Sequence, residues 1–149
     1  MNKGHPETPL LAVDLVIRHP ANPGRVLVIE RRNPPAGWAL PGGFVDRGEP
    51  VECAARREAR EETNLDVRLE VLLGVYSDPE RDPRGHTVSL VYVARGEGEA
   101  RAQDDALALR WLDPEDRKQA LAFDHRRILD DYLRFRVAGE VAPLRNGGR

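Results

Sequence analysis

The segment from Gly42 to Leu65 constrains the fold more than any other feature, because it joins a glycine turn to a strongly acidic stretch with helical periodicity. The pattern predicts a helix from about Pro50 to Thr63, with Pro50 near its first turn. Apolar stretches rich in β-branched residues flank the segment, and these predict strands. The chain is therefore expected to pack a helix against a sheet.

Five apolar stretches outside the acidic segment predict β-strands. They span residues 10–19, 25–32, 67–76, 86–94 and 107–112. The second is nearly all apolar at its centre, which predicts burial on both faces. Residues 33–43 predict a loop, and residues 113–138 predict a mostly helical segment. The amphipathic stripe of that segment consists of Ile128, Leu129, Tyr132, Leu133 and Phe135. The order of elements predicts one α/β (α+β) domain.

Length and composition exclude several classes of protein. The 149 residues suit a single domain over residues 1–149, with residues 138–149 as a flexible tail. A formal net charge of -2 argues against a general nucleic-acid or membrane-binding surface. No apolar run approaches about 18 residues, and the first nine residues lack a hydrophobic signal core. The single cysteine, Cys53, excludes an internal disulfide, so we expect a cytoplasmic protein.

Three glutamates of the predicted helix fall on its apolar side. At about 100° per residue, Glu61 and Glu62 lie within roughly 60° of Glu58. The same side carries Val51, Ala54, Ala55 and Leu65, and the other side carries Arg56, Arg60 and Thr63. Three like charges that face inward repel one another, and partial burial raises the pKa of each carboxyl.

A cation is the simplest remedy for that repulsion. Arg57 lies four residues before Glu61 and can neutralise one acid. A carboxylate cluster otherwise suits a hard divalent cation such as Mg²⁺ or Mn²⁺. Gly42 and Gly43 permit close backbone approach, so a carbonyl of this turn can complete a metal site. The alternative is a solvated charge run on an ordinary surface helix.

The spacing of these residues resembles the Nudix box, the signature of the Nudix hydrolase family. The matching positions are Gly43, Glu49, Arg57, Glu58, Ala59, Glu61, Glu62 and Leu65. Asn64 stands where the family usually has glycine. That position is expected to end the helix in a left-handed conformation, for which Asn is the usual second choice.

The resemblance implies a Nudix-type α/β/α sandwich with a mixed β-sheet. It also implies Mg²⁺-dependent hydrolysis of a nucleoside diphosphate linked to another moiety, with Mn²⁺ as a substitute. The implied metal ligands are Glu58, Glu61, Glu62 and the Gly43 carbonyl. The implied catalytic residues are Glu61, Glu58 and Arg57, of which Arg57 orients a glutamate. The general base stays open among the box glutamates and the loop acids Glu97, Glu99, Asp104 and Asp105, with Asp105 preferred among the loop acids.

Residues outside the box bear on the substrate. Pro79 lies fourteen residues after Leu65, which resembles the ADP-ribose pyrophosphatase subgroup. Arg81 and Arg84 suit phosphate oxygens, because guanidinium groups bind them in bidentate fashion. The other candidate substrate-binding residues are Arg32, Trp38 and Asp105, with Trp38 either stacking on the ligand or packing in the core. Asp124 and His125 are expected to serve in helix capping and packing.

These features together predict hydrolysis of ADP-ribose to AMP and ribose 5-phosphate. One alternative is a nucleoside triphosphate pyrophosphohydrolase that sanitises the nucleotide pool. Another is a non-catalytic Nudix-fold sensor of a NAD-derived ligand. The expected partner is a small-molecule nucleotide, with no nucleic acid and no membrane. A homodimer is an expectation from analogy with relatives.

Overall fold

The computed structural model of the protein describes residues 4–146, and this region contains seven strands and two helices. The strands are β1 (Leu10–Arg18), β2 (Val26–Arg31), β3 (Gly37–Ala39), β4 (Gly42–Phe44), β5 (Asp66–Tyr76), β6 (Thr87–Glu97) and β7 (Ala106–Leu112). The helices are α1 (Val51–Thr63) and α2 (His125–Ala138). The five predicted strands and the acidic helix are all present.

The strands form one mixed sheet. Five of them lie in the order β3-β2-β1-β6-β5, while β4 pairs with β1 and β7 pairs with β2. The β1–β6 pair is parallel, and the other pairs are antiparallel. Strand β1 therefore lies at the centre, where it brings β4 and β6 to either side of its first residues.

Alternate residues of the central strands face two different helices. Val13, Leu15 and Ile17 of β1 pack in a core cluster with Ala54, Ala55 and Ala59 of α1. Val16 of β1 instead joins the cluster that contains Ile128, Leu129 and Tyr132 of α2. The period of two in a strand produces this division. Strand β2 divides in the same way, with Val28 in the α2 cluster and Leu27 in the α1 cluster. Burial on both faces of β2 and the α/β/α arrangement with a mixed sheet are thus confirmed.

The start and end of α1 follow the sequence-based prediction. The helix begins after Pro50, which has an extended backbone with φ -61° and ψ 145°. It ends at Asn64, whose φ of 63° and ψ of 9° are left-handed, and whose N–H donates to the carbonyl of Arg60 at 3.1 Å. The expected left-handed conformation at the position of the missing glycine is confirmed.

Two segments differ from their predictions. Residues 33–43 are not wholly a loop, because Gly37–Ala39 pairs with β2 and Gly42–Phe44 pairs with β1. Residues 113–124 are not helical, and α2 begins only at His125. A backbone bond from Ala122 N–H to the Trp38 carbonyl, at 2.8 Å, ties this segment to β3. Tertiary pairing therefore overrides the local helical preference.

The expected flexible tail lies partly in the described region. Ala142 N–H donates to the carbonyl of Leu73 on β5 at 2.8 Å, and Arg145 pairs with Asp131 at 2.7 Å. A Cβ at Gly74 would lie 2.8 Å from the Ala142 Cβ, so the glycine makes room for this segment. Residues 147–149 of the expected tail lie outside the described residues. Neither α1 nor α2 is long and apolar enough to cross a membrane.

Candidate functional site

A cavity of about 300 Å³ opens where the turn around β4 meets α1 and the first half of β1. Its acidic lining includes Asp14, Glu58 and Glu62. The same cavity is also lined by Arg31, Arg84, Asp105, Asp82, Phe44 and Phe123. Carboxylates, guanidinium groups and aromatic rings therefore share one space.

Glu62 is the most buried carboxylate contributed by α1, with only 6% of the residue exposed. Its Oε1 accepts a hydrogen bond from the Gly42 N–H at 2.8 Å. Burial raises the pKa of Glu62 to about 8, and the negative charges of Glu58 and Asp14 act in the same direction. The side chain is thus held against the glycine turn in a surrounding that disfavours its charge.

Glu58 approaches the backbone of the same turn. A Cβ at Gly43 would lie 2.5 Å from the Glu58 carboxyl carbon, so only glycine leaves room for this carboxylate. Arg57 Nη1 donates to Glu58 at 2.9 Å. Burial raises the pKa of Glu58, and the ion pair with Arg57 opposes that effect only in part. The turn is shaped to receive two acids of the helix.

Arg57 holds the outer side of this acidic group. Its Nε and Nη2 donate to the two carboxylate oxygens of Glu49, at 2.8 and 2.9 Å. The hydrogen bonds from Arg57 lower the pKa of Glu49 to about 2. Arg57 also contacts Glu61 at 3.3 Å and donates to the Phe44 carbonyl at 3.0 Å. One guanidinium therefore links the loop before α1 to two helix glutamates.

The prediction that all three helix glutamates face inward is wrong for Glu61. Its side chain is 46% exposed, it pairs with Arg57 and it does not line the cavity. Thr63, which periodicity assigned to the outer side, is fully buried. The loop before β7 covers that end of the helix, where Arg101 N–H donates to the Thr63 carbonyl at 2.8 Å. Helical periodicity alone could not reveal this cover.

The chemistry of the lining fits a hard divalent cation. Among residues 4–146, no group of three or more His, Cys, Asp or Glu side chains is arranged to hold a metal ion. Glu58 and Glu62 nevertheless converge on the turn with raised pKa values, which a divalent cation would lower by supplying the missing positive charge. The space beside Gly43, which a Cβ would fill, lets the Glu58 carboxylate approach the backbone and so supports the fit to a divalent cation.

The structure brings some of the predicted substrate-binding residues to the cavity and leaves others outside. Arg81, Arg84 and Asp105 line it, as does Gly43 of the predicted metal site. Asp105 accepts a hydrogen bond from Asn33 Nδ2 at 3.2 Å. The other predicted substrate-binding residues, Arg32, Trp38 and Pro79, do not line it, and neither do Arg57 and the loop acids Glu97, Glu99 and Asp104.

The three predicted substrate-binding residues that lie outside the cavity, Arg32, Trp38 and Pro79, have other contacts. Arg32 is exposed, and its Nε donates to the Asp104 carbonyl at 3.3 Å. Trp38 packs against the core cluster of α2 beneath Arg110, whose guanidinium carbon lies 4.6 Å from the ring centroid. Pro79 lines a different cavity between β5 and the last described residues of the chain. Packing is therefore the observed environment of Trp38.

Arg81 is buried in an ion pair. Its Nε and Nη2 donate to the carboxylate of Asp124 at 3.0 and 2.7 Å, and it lies 3.8 Å from Asp14. Asp124 stands at the start of α2 but makes no side-chain cap hydrogen bond. His125 is buried and accepts a hydrogen bond from Leu40 N–H at 2.9 Å. These contacts join α2 to the floor of the cavity.

Sequence reasoning missed Arg31, Phe123 and Asp14 as lining residues. A bulge between Glu30 and Arg31 shifts the register of β2, so simple alternation could not assign the direction of Arg31. Phe123 lies in the segment predicted to be helical, but its φ is 55°. Asp14 is a charged residue inside an apolar strand, and that was the one available signal.

Comparisons with known proteins agree with this geometry. Residues 8–132 match the NUDIX domain family. The chain is 45% identical over 131 residues to the ADP-ribose pyrophosphatase of Methanocaldococcus jannaschii, which covers 86% of this chain and 75% of that protein.

Two solved structures are also similar. The NUDIX domain of Shewanella oneidensis NrtR in complex with ADP ribose has a TM-score of 0.77 at 27% identity, over 93% of this chain and 94% of that one. A bifunctional NMN adenylyltransferase/ADP ribose pyrophosphatase from Francisella tularensis, solved with AMP and a Mn ion, has a TM-score of 0.74 at 26% identity. It is matched over 88% of this chain and 43% of its own.

The acidic helix, the glycine turn that receives its glutamates and the match over residues 8–132 lead to one conclusion. The chain belongs to the Nudix hydrolase family.

Proposed function

We propose that this protein hydrolyses ADP-ribose to AMP and ribose 5-phosphate with Mg²⁺, for which Mn²⁺ can substitute. The observation that carries the proposal is one cavity lined both by the box glutamates Glu58 and Glu62 and by Arg31 and Arg84. Carboxylates suit a divalent cation, and guanidinium groups suit a diphosphate. The 45% identity to a protein named ADP-ribose pyrophosphatase supports the choice of substrate.

Glu58, Glu62 and the Gly43 carbonyl are the groups that would hold the cation, with Glu61 as a further proposed ligand. Glu61 is placed in this set by the box spacing, although it pairs with Arg57 outside the cavity. When bound, the cation reduces the charge of the diphosphate and makes a water molecule easier to ionise. Gly42 N–H fixes one Glu62 oxygen, and Arg57 fixes Glu58.

The hydrolysis itself requires a water oxygen to attack one phosphorus while the bond from that phosphorus to the bridging oxygen breaks. The bridging oxygen leaves with the other phosphate, and the water proton passes to a base. Glu61, Glu58 and Asp105 are the proposed proton acceptors, of which only Glu58 and Asp105 line the cavity. Arg84 is proposed to contact phosphate oxygens. A role for Arg32, Trp38 or Pro79 in substrate binding has no support from the cavity lining.

A cytoplasmic location and a homodimer stay predictions from the sequence. The single cysteine supports the first, since one thiol cannot form an internal disulfide. The exposed Leu10 and Leu11 at the start of β1 are compatible with the second. Neither is needed for the proposed reaction.

The test is a substrate panel with chromatographic identification of products, with Mg²⁺ and with EDTA. The panel contains ADP-ribose, other nucleotide sugars, dinucleoside polyphosphates and nucleoside triphosphates. We expect Mg²⁺-dependent formation of AMP and ribose 5-phosphate, at the highest kcat/KM of the panel. Preference for a triphosphate would instead assign a pyrophosphohydrolase. Thermal stabilisation by ADP-ribose without any turnover would assign a sensor.

A further inference from the structure

Two arginines of the cavity converge on one aromatic ring. The guanidinium carbons of Arg31 and Arg84 lie 4.9 and 5.4 Å from the centroid of the Phe123 ring. Arg84 also lies 5.3 Å from the Phe44 ring centroid. An aromatic face attracts cations. The Phe123 ring lies close to two of them, Arg31 from β2 and Arg84 from the loop between β5 and β6.

The charge of Arg84 is already balanced within the protein. Its Nε and Nη2 donate to both carboxylate oxygens of Asp82, at 3.0 and 2.8 Å. Asp82 is 4% exposed, and Thr87 donates a further hydrogen bond to it at 3.4 Å. A bidentate pair of this kind fixes the guanidinium plane.

The charge of Arg31 has no such balance. Its Nε donates to the Pro35 carbonyl at 2.8 Å and its Nη2 to the Pro34 carbonyl at 3.5 Å, and both acceptors are neutral. Among residues 4–146, Arg31 makes no ion pair with an Asp or Glu, and its Nη1 donates no hydrogen bond. Burial lowers the pKa of Arg31 and the charge of Arg84 lowers it further, while the charges of Glu62, Asp14 and Asp82 oppose this only in part. A half-buried guanidinium that forms no direct ion pair is able to bind an anion.

We propose that Arg31 binds phosphoryl oxygens of the nucleoside diphosphate substrate in this cavity, and that Phe123 positions its guanidinium for that contact. This inference rests on the proposed function for the identity of the substrate. The carbonyls of Pro34 and Pro35 hold one side of the guanidinium, which leaves Nη1 for the ligand. Arg31, rather than the neighbouring Arg32, is then the residue of β2 and its following loop that selects for anionic substrates.

The backbone of Phe123 supports its positioning role. A φ of 55° is unfavourable for an aromatic residue, and such strain persists only where the surroundings enforce it. The enforcing contacts are the bond from Ala122 N–H to the Trp38 carbonyl and the bridge between Trp38 and Leu121. The result of the strained turn is a ring placed under two guanidinium groups.

The direct test of Arg31 is calorimetric binding of ADP to the EDTA-treated protein, because this measurement needs no turnover. Arg31→Gln should weaken ADP binding about 10- to 100-fold, which is the usual worth of charge-assisted hydrogen bonds. Arg31→Lys should recover part of the loss, since it keeps the charge but not the fork. Arg68→Gln, which changes an exposed arginine of β5, is the matched control and should bind as the wild type does.

Several outcomes would overturn the assignment. Equal ADP affinity of wild type and Arg31→Gln rejects it, and so does a larger loss for Arg32→Gln than for Arg31→Gln. If the wild type fails to hydrolyse ADP-ribose but Arg31→Gln still loses ADP affinity, the proposed function fails and the anion site stands. If hydrolysis occurs and KM for ADP-ribose is the same in both proteins, the anion site fails alone.

The role of Phe123 is tested by Phe123→Gly. Glycine accepts a positive φ, so this change relieves the backbone while it removes the ring. We expect ADP binding to weaken severalfold with a melting temperature within a few degrees of the wild type. Phe123→Leu keeps the strained backbone and an apolar side chain, and should also weaken binding. Unchanged affinity in both variants would reject the positioning role.

Discussion

At the scale of single residues, Glu62 shows how burial and function are joined. The carboxylate is enclosed by the glycine turn, and burial raises its pKa to about 8. A site that had only to be stable would not keep an acid there, because burial of an unbalanced charge is unfavourable. A divalent cation bound beside Glu62 would make the charged carboxylate favourable at this position.

This raised pKa predicts the pH dependence of stability without metal. The unfolded carboxyl has a pKa near 4.5 and the folded one about 8, so the folded state binds the proton more tightly. The contribution of the Glu62 carboxyl to the free energy of unfolding is fully present below pH 4.5 and is lost as the pH rises through 8. Relative to Glu62→Gln, the wild type in EDTA should lose a few kcal/mol of unfolding free energy over that range, at about 1.36 kcal/mol per pKa unit.

Urea unfolding of both proteins in EDTA, at several pH values between 5 and 8, measures this difference. Titrating groups that do not interact with Glu62 contribute equally to both proteins and cancel, whereas the charge coupling of Glu62 to Glu58 and Asp14 is part of the measured difference. Excess Mg²⁺ at the upper end of the range should restore the stability of the wild type and leave the variant nearly unchanged. Parallel pH profiles in EDTA would contradict the account of Glu62.

Residue identity was predictable where fixed spacing carried it. The box spacing singled out Gly43, Glu58 and Glu62, and all three line the cavity. It could not show that Glu61 turns outward, because that depends on Arg57 and solvent. It also could not find Arg31, whose direction follows from a bulge that forms only when β2 pairs with β7.

At the scale of elements, α1 depends on how it ends. Asn64 adopts a left-handed backbone, and its side-chain Nδ2 donates to the Glu99 carbonyl at 3.0 Å. The first feature favours glycine and the second favours asparagine. The departure from the usual family residue therefore gains a contact with the loop between β6 and β7.

Asn64→Gly and Asn64→Ala separate these two effects. The glycine variant loses the side-chain bond but gains backbone freedom at positive φ, so we expect unfolding free energy within about 1 kcal/mol of the wild type. The alanine variant loses the bond and keeps the strained backbone, so it should be less stable by about 1 to 2 kcal/mol. Urea denaturation gives both values, and an alanine variant as stable as the wild type would reject this reading.

The elements were predictable where apolar periodicity was long. The five predicted strands and α1 are present with small shifts at their ends. Strands β3 and β4 were not predicted, since they have three residues each and contain Gly37, Gly42 and Gly43. Residues 113–124 were misassigned because their contacts with Trp38 are tertiary.

At the scale of the whole molecule, the sheet brings together groups that are far apart in the sequence. Strand β1 pairs with β4 on one side and with β6 on the other, so the glycine turn lies near the loop that carries Arg81 and Arg84. Helix α1 adds the glutamates, and the segment before α2 adds Phe123. The carboxylates and the guanidinium groups that line the cavity thus come from separate elements of the domain.

The most direct test of the central claim is the rate of AMP formation from ADP-ribose by the wild type and by Glu62→Gln at saturating Mg²⁺. The matched control is Glu52→Gln, which makes the same change at an exposed position of the same helix. We predict turnover by the wild type and the control, and a rate lower by about 100-fold or more in Glu62→Gln with its fold retained. A Glu62→Gln rate equal to that of the wild type would contradict the account.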